Sequence, residues 1–316
     1  MRKLPPRILL VLHLVWSLGL GQLSASHPPD PALYVVSVPV ADLRAQPRTR
    51  AQQGAHDPLQ ETQVLYGERV RLRKTDGLWA FVEAIEQPEY THHRRWEGYP
   101  GWIRTRALQP LRDAPAPNAI ITSKWAAVWA DAQGTRLQMR LPIGAVITVT
   151  PKPNGLYPLR LLSGTSGWIR GSEVRILDDA QPLPEAQRRQ LIVREAELFL
   201  GDGYFWGGRS PSHGPSDANR AGGGVDCSGL VNLAHRAAGI HIPRDAHEQS
   251  LRARPVTQLQ PADVIFLSKP NDPSTIVHVM LYAGDGRLIE APGTGLVVRR
   301  ISVAERLGRP LERLKP

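Results

Sequence analysis

The spacing of apolar residues changes character along the chain. Between residues 33 and 176 apolar and polar positions alternate in short runs, as in Gly67-Glu68-Arg69-Val70-Arg71-Leu72 and in part of Gly144-Ala145-Val146-Ile147-Thr148-Val149. Asp76-Gly77, Asn154-Gly155 and Ser163-Gly164 punctuate these runs, so the stretch predicts short strands joined by turns. From Glu185 the period lengthens. Ile192, Ala196, Phe199 and Leu200 share one helical face and Gly201 is a stop, which predicts a helix from Glu185 to Leu200. A second stripe follows from Cys227 to Ala238, carried by Leu230, Val231, Leu233, Ala234, Ala237 and Ala238. Residues 263–267 and 276–282 then read as strands, and the turn Gly284-Asp285-Gly286 leads into a third at 287–290. Helices followed by antiparallel strands predict an α+β domain behind an all-β region.

The β region carries a faint internal repeat. Gly101-Trp102-Ile103-Arg104 recurs as Gly167-Trp168-Ile169-Arg170, and the turn and strand at Gly67 recur at Gly144. Two barrels are expected, over 33–111 and 118–177, joined near Arg112–Pro117; a linker at 178–184 precedes the α+β domain over 185–316. Trp79, Trp102 and Trp168 read as barrel core or rim rather than ligand platforms. The first copy holds an insertion, Gln87–Tyr99, with Tyr90, His92, His93 and Trp96, expected to be an exposed contact loop. His92 and His93 are not read as a metal pair, because adjacent strand residues face opposite ways. At the N-terminus Arg2, Lys3 and Arg7 precede an apolar run from Ile8 to Leu20 and then Ser24-Ala25-Ser26. Residues 1–26 therefore read as a signal peptide, too short for a stable membrane span. No other stretch is long and apolar enough to cross a bilayer, so the expectation is an exported protein, periplasmic, extracellular or wall-associated, with no integral membrane segment after the leader is removed.

Composition narrows the partners. The 316 residues are 41% apolar and 22% charged, ordinary for a globular chain, with a formal charge of +10. The basic residues are scattered and match no nucleic-acid motif, so no nucleic-acid partner is expected; attraction to an anionic envelope or polymer fits better. Cys227 is the single cysteine. In an exported chain it has no intramolecular disulfide partner, and it is either a small buried hydrophobe or a reactive thiol. Its place at the start of a helical stripe exposes it to unpaired N–H groups and the positive end of the dipole, both of which favour a thiolate. A base must come from ten histidines. His13 lies in the leader and His27 just past it. His235 is eight residues along the helix from Cys227, roughly 12 Å away. His241 and His247 fall in a loop region. His278 stands inside an apolar strand, costly for an imidazole without a partner.

The motifs Tyr204-x-Trp206-Gly207-Gly208, Asp226-Cys227-Ser228-Gly229-Leu230-Val231, Pro243-Arg244-Asp245-Ala246-x-x-Gln249 and His278-Val279 before Tyr282-x-Gly284-Asp285-Gly286 occur in this order. They resemble the NlpC/P60 cysteine peptidases over about residues 185–315. The strand-ending Gly-Trp-Ile with an earlier Gly-Glu-x-Val resembles the bacterial SH3 (SH3b) domain, although the second copy has Ala145 in place of the Glu. Together they resemble γ-D-glutamyl-L-diamino acid endopeptidases. The resemblance implies a papain-like α+β catalytic domain behind two all-β SH3b barrels, with no cofactor and no metal. It places the nucleophile on Cys227 and the base on His278. The third position, usually histidine in the family, falls on Glu290, and a carboxylate can orient an imidazole as well. For substrate, the resemblance implies peptidoglycan or murein peptide fragments cleaved between γ-D-Glu and diaminopimelate or Lys, with a free N-terminal L-Ala. Glu68 and Tyr99 are the candidates for holding its amine, and Asp226, Ser228, Trp206, Tyr204 and Asp245 for lining the cleft. Ala246 stands where the family often has Ser, and residues 209–224 form a longer loop than usual. An amidase, an endopeptidase acting on intact wall, and an inactive wall-binding protein are the alternatives.

Overall fold

In the computed structural model, residues 8–14, 32–49, 56–153, 155–177, 183–212 and 223–310 are described. The expected leader lies outside them except for Ile8–Leu14, and most of the 178–184 linker and of the 209–224 loop lies outside them too. The backbone of Ile8–Leu14 pairs antiparallel with Ala253–Pro255 on one side and Val264–Lys269 on the other. Among the described residues no helix is long and apolar enough to cross a membrane.

The two barrels are all-β, and their strands follow one plan. The first sheet runs in the order Gln60–Leu65, Val40–Arg44, Glu97–Arg104, Trp79–Glu89, Arg69–Asp76, Leu33–Val36, Leu108–Pro110. The second runs Leu137–Pro142, Trp125–Trp129, Ser166–Arg170, Leu156–Arg160, Val146–Val149, Ala119–Ile121, Val174–Ile176, the same order strand for strand. The faint repeat in the sequence is thus a duplicated SH3b-like topology. Its aromatic residues behave as expected at a rim: Arg104 lies 4.1 Å over the Trp79 ring, Lys74 5.1 Å over Trp102 and Lys152 4.9 Å over Trp168.

The insertion in the first barrel differs from the expectation. Only its middle is a loop: residues 87–89 and 97–99 lengthen the hairpin between Trp79–Glu89 and Glu97–Arg104, and the turn at 91–96 is exposed. Gln87 and Glu89 are buried. The hairpin leans on the α+β domain, where Thr91 N donates to Glu248 Oε1 at 3.1 Å and Arg252 stacks 4.0 Å over Trp96.

That domain contains α1 (Glu185–Glu197), α2 (Cys227–Ala237), α3 (Ala246–Arg252) and α4 (Val303–Leu307) beside an antiparallel sheet. From 264 onward the sheet is a meander of Val264–Lys269, Asp272–Gly284, Arg287–Glu290 and Arg299–Ser302. Helix α1 stops three residues before Leu200, which lies in a turn rather than on a fourth helical repeat. The apolar stripe of α2 is buried as its period requires: Leu230, Val231, Leu233, Ala234 and Ala237 pack with Val264, Phe266, Val279, Leu281 and Ile289. Leu65 and Ile143 from the two barrels enter the same cluster, so the three domains share a core. Gly144 makes that contact close. Its φ is +84°, and a Cβ there would stand 2.6 Å from Leu233 Cδ1.

Candidate active site

Cys227 is half-buried at the first position of α2. Asp226 is the N-cap: its extended backbone lets Oδ1 accept from Gly229 N at 2.6 Å, and Oδ2 accepts from Gly207 N at 3.0 Å. One carboxylate thereby ties the Trp206-Gly207-Gly208 turn to the helix start. The glycines allow the approach, since a Cβ on Gly229 would lie 2.2 Å from Gly208 O. The thiol therefore sits on a backbone held from both sides.

The hairpin turn between Asp272–Gly284 and Arg287–Glu290 brings Glu290 back beside His278. His278 Nε2 lies 2.8 Å from Glu290 Oε2, and Cys227 is close enough to act on the same imidazole. Three residues from two segments thus form a Cys–His–Glu chain of contacts. Burial lowers the imidazole's basicity, but the contacts with Cys227 and Glu290 outweigh it and lift His278 to about 9. Burial also opposes ionisation of Glu290, yet its partners hold it down at about 2. Those partners include two arginines that the sequence does not single out. Arg299 donates to Oε1 from Nε at 3.1 Å and from Nη2 at 2.8 Å, and Arg306 Nε donates at 3.0 and 2.9 Å to the two oxygens. Strand register places Glu290 opposite Arg299. Glu290 is 0% exposed, so its full charge depends on this company.

Arg244 organises the other side. Fully buried, it donates to Asp226 at 2.8 and 3.0 Å, to Ser228 Oγ at 2.9 Å, to Thr62 Oγ1 at 2.7 Å and to Asp245 Oδ1 at 3.3 Å. It stood in the quoted motif but was not singled out as a site residue. Its guanidinium joins the residues flanking Cys227 to the first barrel. Tyr204 lies near Cys227 and Asp226; burial first, then the neighbourhood of Asp226, raises its phenol. Trp206 is 46% exposed, with His56 tilted against it at 5.2 Å.

The two candidates for amine binding separate. Tyr99 OH donates to Asp245 Oδ2 at 2.9 Å and to Glu61 Oε2 at 3.3 Å, and His92 stacks edge-on to its ring at 5.1 Å. Glu68 is elsewhere. It is 1% exposed and lies 2.7 Å from Arg209 Nη2 and 3.0 Å from Arg236 Nε, while Gln87 and the Leu65 amide donate to its Oε2. A carboxylate so enclosed by protein donors has no face for a ligand, so the expectation for Glu68 is corrected: it ties the barrel to the α+β domain. The acid beside Tyr99 is Glu61, seven residues before Glu68 on the strand Gln60–Leu65. Nothing in the local pattern distinguished it, since the fold decides which strand end reaches Asp245.

A thiol at a helix N-terminus with an imidazole and a carboxylate beyond it is the arrangement of a papain-like cysteine hydrolase. The NlpC/P60 family model matches residues 201–307, which form an NlpC/P60 domain. The chain is a cysteine peptidase. It is 28% identical over 254 residues to a gamma-D-glutamyl-L-lysine dipeptidyl-peptidase of Bacillus subtilis, covering 79% of this chain and 78% of that protein. It is 28% identical over 212 residues to the peptidoglycan endopeptidase RipA of Mycobacterium tuberculosis, covering 65% of this chain and 41% of that one. A solved NlpC/P60 family protein from Bacillus cereus shares the fold, with a TM-score of 0.69 at 24% identity, over 86% of this chain and 94% of that one.

Proposed function

We propose that this protein cleaves the bond between γ-D-Glu and the L-diamino acid of peptidoglycan stem peptides whose N-terminal L-Ala amine is free. The observation that carries the proposal is the acidic cluster of Glu61, Tyr99 and Asp245, joined through Arg244 to both neighbours of Cys227. A phenol and two carboxylates suit an ammonium and repel a carboxylate. An ammonium anchored there sets how many residues precede the bond that reaches Cys227. The relatives' names fit this reading: one is a γ-D-glutamyl-L-lysine dipeptidyl-peptidase and another a peptidoglycan endopeptidase.

In this mechanism Cys227 Sγ attacks the carbonyl carbon of the γ-D-glutamyl unit. His278 carries the proton taken from the thiol and delivers it to the leaving amine, and Glu290 holds the imidazole in orientation. Water then hydrolyses the thioester, with His278 accepting its proton. Trp206, Tyr204 and Ser228 line the cleft around the acyl group.

Two outcomes test these roles. In Glu61→Gln, kcat/KM for L-Ala-γ-D-Glu-L-Lys should fall by at least about tenfold, chiefly through KM, as expected for a lost charge pair. N-acetylation of the substrate should then cost the wild type far more than the variant. Equal penalties in the two enzymes would remove Glu61 from amine binding. The second outcome concerns pH. Because His278 is raised to about 9, its proton is present below that pH and lost above it, so kcat/KM should fall as pH rises through about 9. Glu290→Gln removes the neighbouring charge and should move this limb to lower pH, with a much smaller loss of turnover than Cys227→Ala. An unmoved limb would mean that Glu290 does not act on His278.

A further inference from the structure

A second cluster of ligand-bearing side chains lies at the tip of the first barrel's long hairpin, away from the Cys227 centre. Glu89, His93 and Glu97 each offer one ligand atom within 4.8 Å of the other two. His93 Nδ1 contacts Glu97 Oε1. Glu89 is buried, and its two oxygens are treated differently. Oε2 accepts from His92 N at 3.1 Å and pairs with His92 Nδ1 at 2.9 Å, whereas the buried Oε1 has no hydrogen-bond partner among the described residues. A carboxylate oxygen enclosed without a donor is costly in protein and well suited to a cation.

We propose that Glu89, His93 and Glu97 form a Zn2+ site that is not part of the catalytic machinery. The set is two carboxylate oxygens and one imidazole nitrogen, which suits Zn2+, while Ca2+ and Mg2+ prefer all-oxygen shells. Three protein ligands leave a fourth position for water. Bonds of about 2.0–2.2 Å hold tetrahedral ligands roughly 3.4 Å from one another, so the direct contact of His93 with Glu97 must open and the wider separations in the cluster must close. The exposed turn carrying His93 can supply that movement, since the turn rather than the buried strands holds the ring. Arg95 Nε donates to Glu97 Oε2 at 2.9 Å, leaving Oε1 as the ligand atom.

The turn also explains why His92 and His93 separate. They face different neighbours: His93 joins the proposed ligands, while His92 bridges Glu89 to Tyr99 and to Glu61 on the strand Gln60–Leu65. Zn2+ on Glu89 would hold the carboxylate that positions His92. It would also brace the hairpin whose Thr91 and Trp96 dock on α3. The site is a structural brace within the hairpin that the first barrel rests on the catalytic domain.

The test is calorimetric titration of ZnCl2 into the untagged full chain carrying Cys227→Ala, which removes the competing thiol, with MgCl2 as the comparison. One Zn2+ per chain and a higher melting midpoint with Zn2+ are expected. His93→Ala, at an exposed position, and Glu97→Gln should each weaken binding by at least about tenfold and abolish the midpoint shift. Absence of Zn2+ binding, equal binding of Mg2+, or unchanged stoichiometry and affinity in both variants would overturn the proposal.

Discussion

Cys227→Ala should abolish peptide cleavage while leaving the fold intact. The loss expected is at least about 10⁴-fold in kcat, because a nucleophile, its base and its orienting acid act as a unit. The side chain is half-buried and the alanine preserves the helix start, where Asp226, not the thiol, supplies the cap. The melting midpoint should therefore change by no more than a few degrees, since the substitution neither opens a large cavity nor strands a charge. His278→Ala should be similarly inactive, but less innocent structurally: it leaves Glu290 buried with only Arg299 and Arg306 as charged partners. Turnover by Cys227→Ala within tenfold of wild type would end the cysteine-peptidase account.

Arg244→Met should be the most damaging single change outside the reacting groups. The side chain is similar in length, so packing is largely kept while the donors to Asp226, Ser228, Thr62 and Asp245 are lost. Breaking a buried pair by removing one partner costs about 3–5 kcal/mol, most of it from the charge left behind. Two carboxylates are left here. Asp245 is already raised to about 6, by its partial burial first and by Asp226 and Glu248, with Arg244 opposing. Without Arg244 its carboxyl rises further and is neutralised nearer to neutral pH, so ammonium binding at Tyr99 weakens as well. The variant should unfold at lower urea concentration than wild type, with an unchanged slope, and show a raised KM where it remains folded. Arg244→Lys should not restore it, because an ammonium cannot reproduce the planar fork that reaches Asp226 through both oxygens. Wild-type urea stability in Arg244→Met would show that the junction does not depend on this arginine.

Much of the architecture was readable in the chain because it rests on local periodicity. The alternating runs became strands, the stripe after Cys227 became α2, and the recurring Gly-Trp-Ile-Arg marked two sheets of one topology. Features set by non-local pairing were harder to read. The 87–99 insertion contains turn-like and aromatic residues, yet its strands extend because each end pairs with the other and its tip rests on α3. Arg299 belongs to Glu290 through strand register, and Arg306 reaches it from the following helix. Glu68 and Glu61 are similar acids on neighbouring parts of one barrel. Burial between Arg209 and Arg236 made one a tie between domains, and contact with Tyr99 placed the other at the site. The Cys227, His278 and Glu290 positions could be named from motif order, but the carboxylate's dependence on two arginines required the fold.

Product analysis by mass spectrometry on defined stem peptides tests the central claim most directly. Wild-type enzyme given L-Ala-γ-D-Glu-L-Lys or its diaminopimelate counterpart should release L-Ala-γ-D-Glu and the free diamino acid, with little cleavage when the L-Ala amine is acetylated and little release from intact sacculi. Cleavage before the γ-D-Glu, or equal cleavage of acetylated peptide and intact sacculi, would contradict it.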